Sequence, residues 1–269
     1  MEYNEILTAA RGVMTLCRAC PICNGRACGN DMPGPGCKAP GNAATRNYDK
    51  WQEICVNMDT LYESRPIDTS LALFGRSFTA PIFAAPLGAL AMHYGDKYND
   101  LSYNSVLVPV CAEYGIAAFT GDGVDPAVMK SAVEVMEGVG GVGIPTIKPW
   151  NKEAVFEKLD FIKARGGVFA VAMDIDGAGL PFLKAMNPNA GSKSVAEMRE
   201  IVEYALEALH MKDRSRVLMV GDRDNDVLGA RLSGLDCCGV LYGYGSREEL
   251  EGCHPKYLIE SPRDLTGLV

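Results

Sequence analysis

Carboxylate side chains crowd a short loop near the C-terminus of the sequence. Gly221 and the acidic residues Asp222, Asp224 and Asp226 follow the apolar run Arg216–Val220 directly. A glycine at this point lets the chain turn tightly, so that Asp222 emerges at a strand end and Asp226 lies near the first turn of a helix. Two carboxylates placed in this way can bind a hard divalent cation and leave positions for water and phosphate. The alternative is that an aspartate of this loop only caps the helix.

Four cysteines form a second candidate site near the N-terminus, namely Cys17, Cys20, Cys23 and Cys28. Thiolates at this spacing can converge on one ion, so the cluster could bind zinc or an iron–sulfur cluster. The alternative is a set of reduced thiols packed beneath a loop. The remaining cysteines are neighbours or isolated residues, which is not the pattern of a disulfide framework in a chain of this length.

Apolar runs alternate with helical segments from residue 81 onward. The runs are Pro81–Ala85, Ile116–Thr120, Val142–Lys148, Val168–Asp174, Arg216–Gly221, Cys237–Leu241 and Tyr257–Glu260. They are nearly continuous, which is typical of strands buried on both faces of a parallel sheet. Helix starts are indicated by Asp125-Pro126 and by the capping boxes Ser194–Glu197 and Ser246–Glu249. The alternation predicts an α/β fold of about seven parallel strands, either a (βα) barrel one unit short or an open doubly wound sheet.

Composition limits the classes of partner. The net charge is −8 and the basic residues are scattered, which argues against nucleic acid and against an anionic membrane. No stretch approaches the roughly 18 uninterrupted apolar residues of a membrane span. The first residues also lack the basic start and apolar run of a signal peptide. We therefore predict a cytoplasmic protein with a small-molecule substrate.

Several motifs in the first two hundred residues match one family of enzymes. They are Pro81–Gly88, Ala117–Gly123, Gly143–Asn151, Ala172–Lys184, Asn189–Ser194 and the cysteine-rich start Cys17–Cys28. From residue 1 to about residue 200 the chain resembles FMN-dependent α-hydroxy-acid oxidising enzymes, including lactate-oxidising homologues. The resemblance implies half of a (βα)₈ barrel, with FMN lying over the strand ends.

The same resemblance implies roles for individual residues. Pro86, Leu87 and Gly88 would line the flavin, Thr120 would face it and Lys148 would lie near its ring. The expected reaction is oxidation of a 2-hydroxy acid such as lactate. The second half of the family's barrel supplies a strand lysine, a catalytic histidine in a His-Gly-Gly-Arg run and a glycine-rich phosphate site, and this sequence contains none of them. Flavin binding is therefore expected to be weak, and turnover impaired or absent.

The end of the sequence carries motifs of a second family, at Val217–Ala230, Gly234–Asp236 and Gly239–Leu250. From about residue 202 the chain resembles phosphatases of the haloacid dehalogenase superfamily, in particular the phosphoglycolate phosphatase-like branch. The resemblance implies Rossmann-like βα units and a magnesium-dependent phosphate-ester hydrolase in which Asp222 and Asp226 hold Mg²⁺. The nucleophile of that family is the first aspartate of an Asp-x-Asp-Gly-Thr motif.

The sequence is thus interpreted as a hybrid of three regions. Residues 1–80 form a cysteine-rich region that ends in a hairpin around Gly75-Arg76, residues 81–200 a flavin-enzyme half barrel, and residues 201–269 the haloacid dehalogenase-like units. A third interpretation is a folded hybrid scaffold without catalysis. An incomplete barrel leaves strand edges unpaired, which favours either a homo-oligomer or capture of the N-terminal hairpin by the open edge.

A new site could arise where the two parts join. The strand before the acidic loop ends in Asp174-Ile-Asp176-Gly-Ala178, which is similar to Asp-x-Asp-Gly-Thr. If consecutive strands pair, Asp174 and Asp176 would face the acidic loop across about 5 Å. Asp174 could then act as nucleophile and Asp176 as acid and base, with Lys148 offering a positive charge. The alternative is a cluster of carboxylates without turnover.

Overall fold

The computed structural model shows helices that alternate with short strands. It describes residues 2–15, 17–27, 43–56, 58, 61, 63–165, 168–174, 191, 193–208, 211–243, 245–265 and 267–268. The helices are α1 (Tyr3–Arg11), α2 (Ala43–Gln52), α3 (Leu90–Tyr94), α4 (Asp100–Glu113), α5 (Pro126–Gly138), α6 (Lys152–Arg165), α7 (Val195–Ala208), α8 (Asp224–Leu232), α9 (Arg247–Gly252) and α10 (Pro262–Leu265). The strands are β1 (Leu71–Leu73), β2 (Arg76–Phe78), β3 (Phe83–Ala84), β4 (Ala117–Thr120), β5 (Ile144–Ile147), β6 (Ala172–Met173), β7 (Leu218–Gly221), β8 (Asp236–Val240) and β9 (Tyr257–Ile259). Strands β3 to β9 each overlap one of the apolar runs, and the predicted α/β class is confirmed.

The chain divides into two compact units. The first consists of Met1–Pro149 and Arg165–Gly191, and the second of Trp150–Ala164 and Ser192–Val269. Within the described residues we find no helix whose length and hydropathy would suit a membrane crossing.

The first unit is built on a parallel sheet in which the strands follow chain order, β3-β4-β5-β6. Ala84 pairs with Ala118, and Thr120 pairs with Pro145. Because neighbouring strands run in the same direction, the loops after β3, β4, β5 and β6 all emerge at one edge of the sheet. Sites of α/β proteins form at this edge, outside the carboxyl ends of the strands.

The predicted hairpin is present before this sheet, with β1 antiparallel to β2. Phe74 and Gly75 form its turn with φ angles of +50° and +75°, which is the backbone that tight hairpin turns favour. The ring of Phe78 in β2 lies 5.2 Å from that of Phe83 and 5.7 Å from that of Phe169. Aromatic contacts therefore fix the hairpin against the sheet.

Helices α4 and α5 pack against β4 through an apolar core. Val108 and Cys111 of α4 meet Met136 of α5 and Ala118 of β4, and all four are buried. Helix α5 begins as the sequence predicts, because the Asp125 carboxylate accepts a hydrogen bond of 2.9 Å from the N–H of Ala127.

The second unit contains a parallel sheet in the order β7-β8-β9. Its core joins Leu206 of α7, Val227 and Ala230 of α8, Cys237 of β8 and Leu250 of α9. Each βα unit thus buries its apolar face against the next, which is how such units become stable.

Helix α7 starts with the predicted capping box. The Ser194 hydroxyl accepts from the N–H of Glu197 at 3.2 Å, and the Glu197 carboxylate accepts from the N–H of Ser194 at 2.8 Å. Two of the N–H groups that a helix start leaves unpaired are satisfied in this way.

The expected pairing between the strand that ends at Asp174 and the strand of the acidic loop is wrong for the described residues. Strand β6 pairs with β5 over a short stretch, whereas β7 pairs with β8 over the whole of Leu218–Gly221. No ladder joins β6 to β7 in the part of the chain that the structure describes. The physical reason is that the C-terminal units close a core of their own, so β7 takes its partner from within that core. Asp176 lies outside the described residues, and the catalytic roles of Asp174 and Asp176 stay predictions.

Candidate functional site

The loops after β3 and β4 approach each other so closely that only glycine fits between them. A Cβ atom on Gly121 would lie 2.2 Å from the carbonyl oxygen of Leu87 and 3.5 Å from the Cα of Gly88. Distances this short are not tolerated between backbone and side chain, so Gly121 lets the two loops meet. The Pro-Leu-Gly and Thr-Gly-Asp motifs, which lie far apart in the sequence, are thereby brought together. Pro86 is exposed, and Leu87 and Gly88 are half-buried.

A buried aspartate ties the end of β4 to the end of β5. Asp122 is 3% exposed; its Oδ1 accepts from the N–H of Gly123 at 2.9 Å and its Oδ2 from the N–H of Lys148 at 3.1 Å. Charge-assisted bonds of this kind fix a loop firmly. We did not predict a role for Asp122, although its place between two glycines at a strand end was a usable signal.

Lys148 and Asp174 form an ion pair at the same edge. The Nζ of Lys148 lies 3.0 Å from the Oδ2 of Asp174, and the two side chains are 19% and 28% exposed. The N–H of Asp174 also donates to the carbonyl oxygen of Ile147 at 2.9 Å. The structure therefore brings together two predicted site residues, and each partly neutralises the charge of the other.

Thr120 ends β4 with a hydroxyl that has no hydrogen-bond partner among the described residues. Its side chain is 1% exposed, and Oγ1 makes no hydrogen bond to any described residue. A buried hydroxyl without a partner costs free energy. Three features at the strand ends could therefore contact a flat ligand. They are the Thr120 hydroxyl, the half-buried Leu87 and Gly88, and the Lys148–Asp174 ion pair.

The acidic loop of the second unit is equally compact. A Cβ atom on Gly221 would lie 2.2 Å from the Cβ of Asp226, and one on Gly243 would lie 2.2 Å from the Cβ of Asp222. A Cβ atom on Gly245 would lie 2.0 Å from the carbonyl oxygen of Asp222. The glycine that ends β7 therefore lies against Asp226, and two glycines of the loop after β8 lie against Asp222.

Asp222 and Asp226 are near enough for their charges to interact. Burial raises the pKa of Asp226, and the negative charge of Asp222 raises that pKa further, while hydrogen bonds from backbone N–H groups lower it. One of these bonds runs from the N–H of Arg223 to Oδ2 of Asp226 at 3.0 Å. A cation between the two carboxylates would remove their repulsion. Two carboxylates, completed by water and phosphate oxygens, are a set that Mg²⁺ accepts.

Other residues of the loop serve its fold. Asp224 accepts a hydrogen bond from the N–H of Asn225 at 2.8 Å. Arg223 pairs with Glu249 of α9, with 2.6 Å between Nε and Oε1. This bond, followed by that from the N–H of Asp224, lowers the pKa of Glu249.

The cysteine cluster does not form a metal site in the described residues. Within them, no three His, Cys, Asp or Glu side chains converge on a position that could hold a metal ion. The chain turns at Ala19, where φ is +44°, and the sulfur of Cys17 accepts the N–H of Ala19 at 3.4 Å. Cys20 is half-buried and Cys23 exposed, whereas Cys28 lies outside the described residues. The thiols of this turn therefore give no support to the zinc or iron–sulfur prediction.

Two family models match parts of this chain. A model described as FMN-dependent dehydrogenase matches residues 35–176, and one described as HAD-hydrolase-like matches residues 198–265.

The curated relatives resemble the chain over short segments. The pyrimidine 5′-nucleotidase YjjG of Escherichia coli (strain K12) is 40% identical over 72 residues, which are 26% of this chain and 31% of the relative. A 5′-nucleotidase of Pseudomonas aeruginosa is 50% identical over 58 residues, 22% of this chain and 26% of the relative. A phosphoglycolate phosphatase of Vibrio parahaemolyticus is 35% identical over 60 residues, which are 22% of this chain and 26% of the relative. The chain therefore spans between a quarter and a third of the length of these relatives.

Two solved structures are also similar to the chain. A putative phosphatase from Clostridium difficile is 26% identical, with a TM-score of 0.29, and the match covers 54% of this chain and 72% of that one. A predicted phosphatase from Clostridium acetobutylicum is 22% identical, with a TM-score of 0.30, and the match covers 54% of this chain and 58% of that one. The family match over residues 35–176 covers more than half of the sequence. The chain belongs to the FMN-dependent dehydrogenase family, and a segment similar to HAD-like hydrolases follows the part that shows it.

Proposed function

We propose that the first unit binds the ring of a flavin at the carboxyl ends of β3, β4 and β5, as half of a 2-hydroxy-acid dehydrogenase barrel. The observation that carries this proposal is the buried hydroxyl of Thr120, which has no hydrogen-bond partner among the described residues. A polar edge of the isoalloxazine ring would satisfy this hydroxyl and so recover the free energy that its burial costs.

The neighbouring residues suit the same ligand. Leu87 and Gly88 offer an apolar wall and close backbone approach, and Gly121 lets that wall reach the end of β4. The Lys148–Asp174 pair supplies charged groups at the rim. Bound FMN would supply the electron acceptor for oxidation of a 2-hydroxy acid.

Efficient turnover needs more than the flavin. A general base must take the proton of the hydroxyl group, and histidine is the usual choice. His93 lies within α3 and is buried, while His210 and His254 belong to the C-terminal part of the sequence. None of them lies in a loop directly after a strand of the first unit. We therefore expect flavin binding with impaired oxidation of 2-hydroxy acids.

Titration with FMN and with riboflavin tests the proposal. The strand ends described above contact a ring and include no glycine-rich phosphate loop, so both flavins should bind with dissociation constants that agree within about threefold. A phosphate held by charge-assisted bonds would instead favour FMN by more than about tenfold, since such bonds contribute about 1.5–3 kcal/mol. A strong preference for FMN, or no binding of either flavin, would contradict ring binding. Reduction of the bound flavin by L-lactate would contradict the loss of turnover.

We infer a second function for the second unit, which is binding of Mg²⁺ together with a phosphate monoester. The supporting observation is the pair of interacting carboxylates, Asp222 and Asp226, which pack closely against glycines at the end of β7 and in the loop after β8. Bound Mg²⁺ would supply a Lewis acid for phosphoryl oxygen. The relatives named 5′-nucleotidase and phosphoglycolate phosphatase support a phosphate ester as the class of ligand.

Calorimetric titration with Mg²⁺ tests this second function. Asp222→Asn should weaken Mg²⁺ binding by at least about tenfold, because it removes one of two anionic ligands. Asp224→Asn is the matched control, since Asp224 lies in the same loop but bonds its own neighbour, and it should change the affinity less than about threefold. Equal losses in both variants would show that the loop acts only through its total charge. If neither flavin nor Mg²⁺ binds, the chain is better described as a folded scaffold without catalysis.

A further inference from the structure

Glu249 makes bonds beyond the capping box that its sequence context predicts. Ser246 and Glu249 have the spacing of a capping box, and the hydroxyl of Ser246 does accept the N–H of Glu249 at 3.1 Å. In a capping box the glutamate also turns back to the N–H of the serine, and that N–H is among the groups that lower the pKa of Glu249. The Glu249 carboxylate bonds in addition to the acidic loop.

Two donors of that loop converge on one oxygen of Glu249. Its Oε1 accepts from Nε of Arg223 at 2.6 Å and from the N–H of Asp224 at 3.1 Å. The side chain of Glu249 is 27% exposed and that of Arg223 is 52% exposed. The bonds therefore join the first turn of α9 to the first turn of α8, beside the two carboxylates that face the proposed cation.

Arg223 is the cation nearest in sequence to those carboxylates, because it directly follows Asp222 and its N–H bonds Asp226. A guanidinium released from Glu249 would have two anionic neighbours within reach of its long side chain. An arginine paired with a ligand carboxylate competes with a metal ion for the same oxygen atoms. The Glu249 carboxylate prevents this by holding the guanidinium in a charge-assisted bond.

We propose that Glu249 is a positioning residue for the acidic loop, which holds the Arg223 guanidinium in a pair of its own and so limits its competition with a divalent cation for Asp222 and Asp226. This inference rests on the proposed binding of Mg²⁺ by the second unit. Groups behind the direct ligands of a metal commonly change its affinity by 10- to 100-fold when they are removed.

A double-mutant cycle on the full chain tests this role, with Mg²⁺ alone as the probe and calorimetry as the readout. Glu249→Gln should weaken Mg²⁺ binding by about tenfold. Arg223→Gln should bind at least as tightly as the wild type, because it removes the competing charge. The double variant should return to within about threefold of Arg223→Gln, a rescue that a purely structural role would not produce.

Glu251→Gln is the matched control on the same helix, since Glu251 pairs with Arg247 rather than with the loop. The affinity of this variant for Mg²⁺ should stay within about twofold of that of the wild type. Thermal unfolding of every variant identifies any loss of affinity that is only a loss of fold.

The outcomes separate this inference from the function on which it depends. No binding of Mg²⁺ by the wild type would overturn both. Wild-type binding with an unchanged Glu249→Gln, or a double variant as weak as Glu249→Gln, would overturn the role of Glu249 alone. If Glu249→Gln does not fold, Arg223→Gln still decides, because a tenfold loss in that variant would show that Arg223 supports the cation instead of competing with it.

Discussion

Replacing Thr120 by valine tests the flavin site in two opposite directions at once. Valine has nearly the shape of threonine but lacks the hydroxyl, which is buried and has no partner among the described residues. Without a ligand the substitution removes an unsatisfied group, whereas with flavin bound it removes a hydrogen bond. We therefore expect the ligand-free protein to become more stable and flavin binding to become weaker.

The expected magnitudes follow from the cost of burying polar groups. Leaving a buried hydroxyl unpaired costs about 1–3 kcal/mol, so Thr120→Val should raise the free energy of unfolding of the ligand-free first unit by about that amount. For a unit of this size each kcal/mol raises Tm by about 2–4 °C. A neutral hydrogen bond contributes about 0.5–1.5 kcal/mol, which corresponds to a loss of flavin affinity of about 2- to 12-fold.

Thr146→Val provides the matched control. Thr146 is also buried, and its Oγ1 has no hydrogen-bond partner in the part of the chain that the structure describes, but it lies within β5 rather than at a strand end. Thr120 pairs with Pro145, so Thr146 points to the opposite face of the sheet, since successive side chains of a strand alternate. Both variants should be stabilised in scanning calorimetry, and only Thr120→Val should weaken riboflavin binding.

The reasoning fails if Thr120→Val binds riboflavin as tightly as the wild type, because the hydroxyl then contributes nothing to the ligand. It also fails if Thr120→Val lowers the stability of the ligand-free protein by more than about 1 kcal/mol, since that loss would mean that the hydroxyl already has a partner. An equal loss of riboflavin affinity in Thr146→Val would show that the flavin does not bind at the strand end where Thr120 lies.

Two further predictions concern packing and thiol chemistry. Gly121→Ala should destabilise the first unit by about 3 kcal/mol or more, because its Cβ would lie 2.2 Å from the carbonyl oxygen of Leu87. Gly138→Ala is the control: its Cβ would meet open space, so this variant should be neutral or more stable by up to about 1 kcal/mol. Equal Tm values for the two variants would contradict the close contact at Gly121. Burial raises the pKa of Cys237 to about 11 from an ordinary 9.0, so at pH 8 its alkylation by iodoacetamide should be about 100-fold slower than that of an ordinary thiol. Peptide mapping measures this rate against the exposed Cys55, and equal labelling of the two thiols in the folded protein would contradict it.

Local signals in the sequence located strands β3 to β9 and the starts of α5 and α7, whereas helix α2 was not predicted. The apolar runs located the strands because β4 and β5 are covered on both faces, so that nearly every position in them is apolar. Asp125 and Ser194 cap their helices because the bonds they make span only two or three residues. Interactions of this range are encoded by the neighbouring residues themselves.

Candidate residues were predictable where one loop supplies them all. Asp222 and Asp226 lie four positions apart, so the geometry of a strand followed by a helix brings them together. Asp122 and the second role of Glu249 were missed, because their partners, the N–H of Lys148 and the loop at Arg223, are distant in sequence. A carboxylate in the sequence does not show which distant donor it will meet.

The sequence by itself determined the resemblance to two families, the alternation of strands and helices from β3 onward, and the residues that follow each of these strands. Only the tertiary structure decided which strands share a sheet: β6 pairs with β5, and β7 with β8. The physical reason is that ladder partners are selected by which apolar faces close into a common core. That choice depends on residues far apart in the chain, such as Leu206 and Leu250, and no local pattern records it.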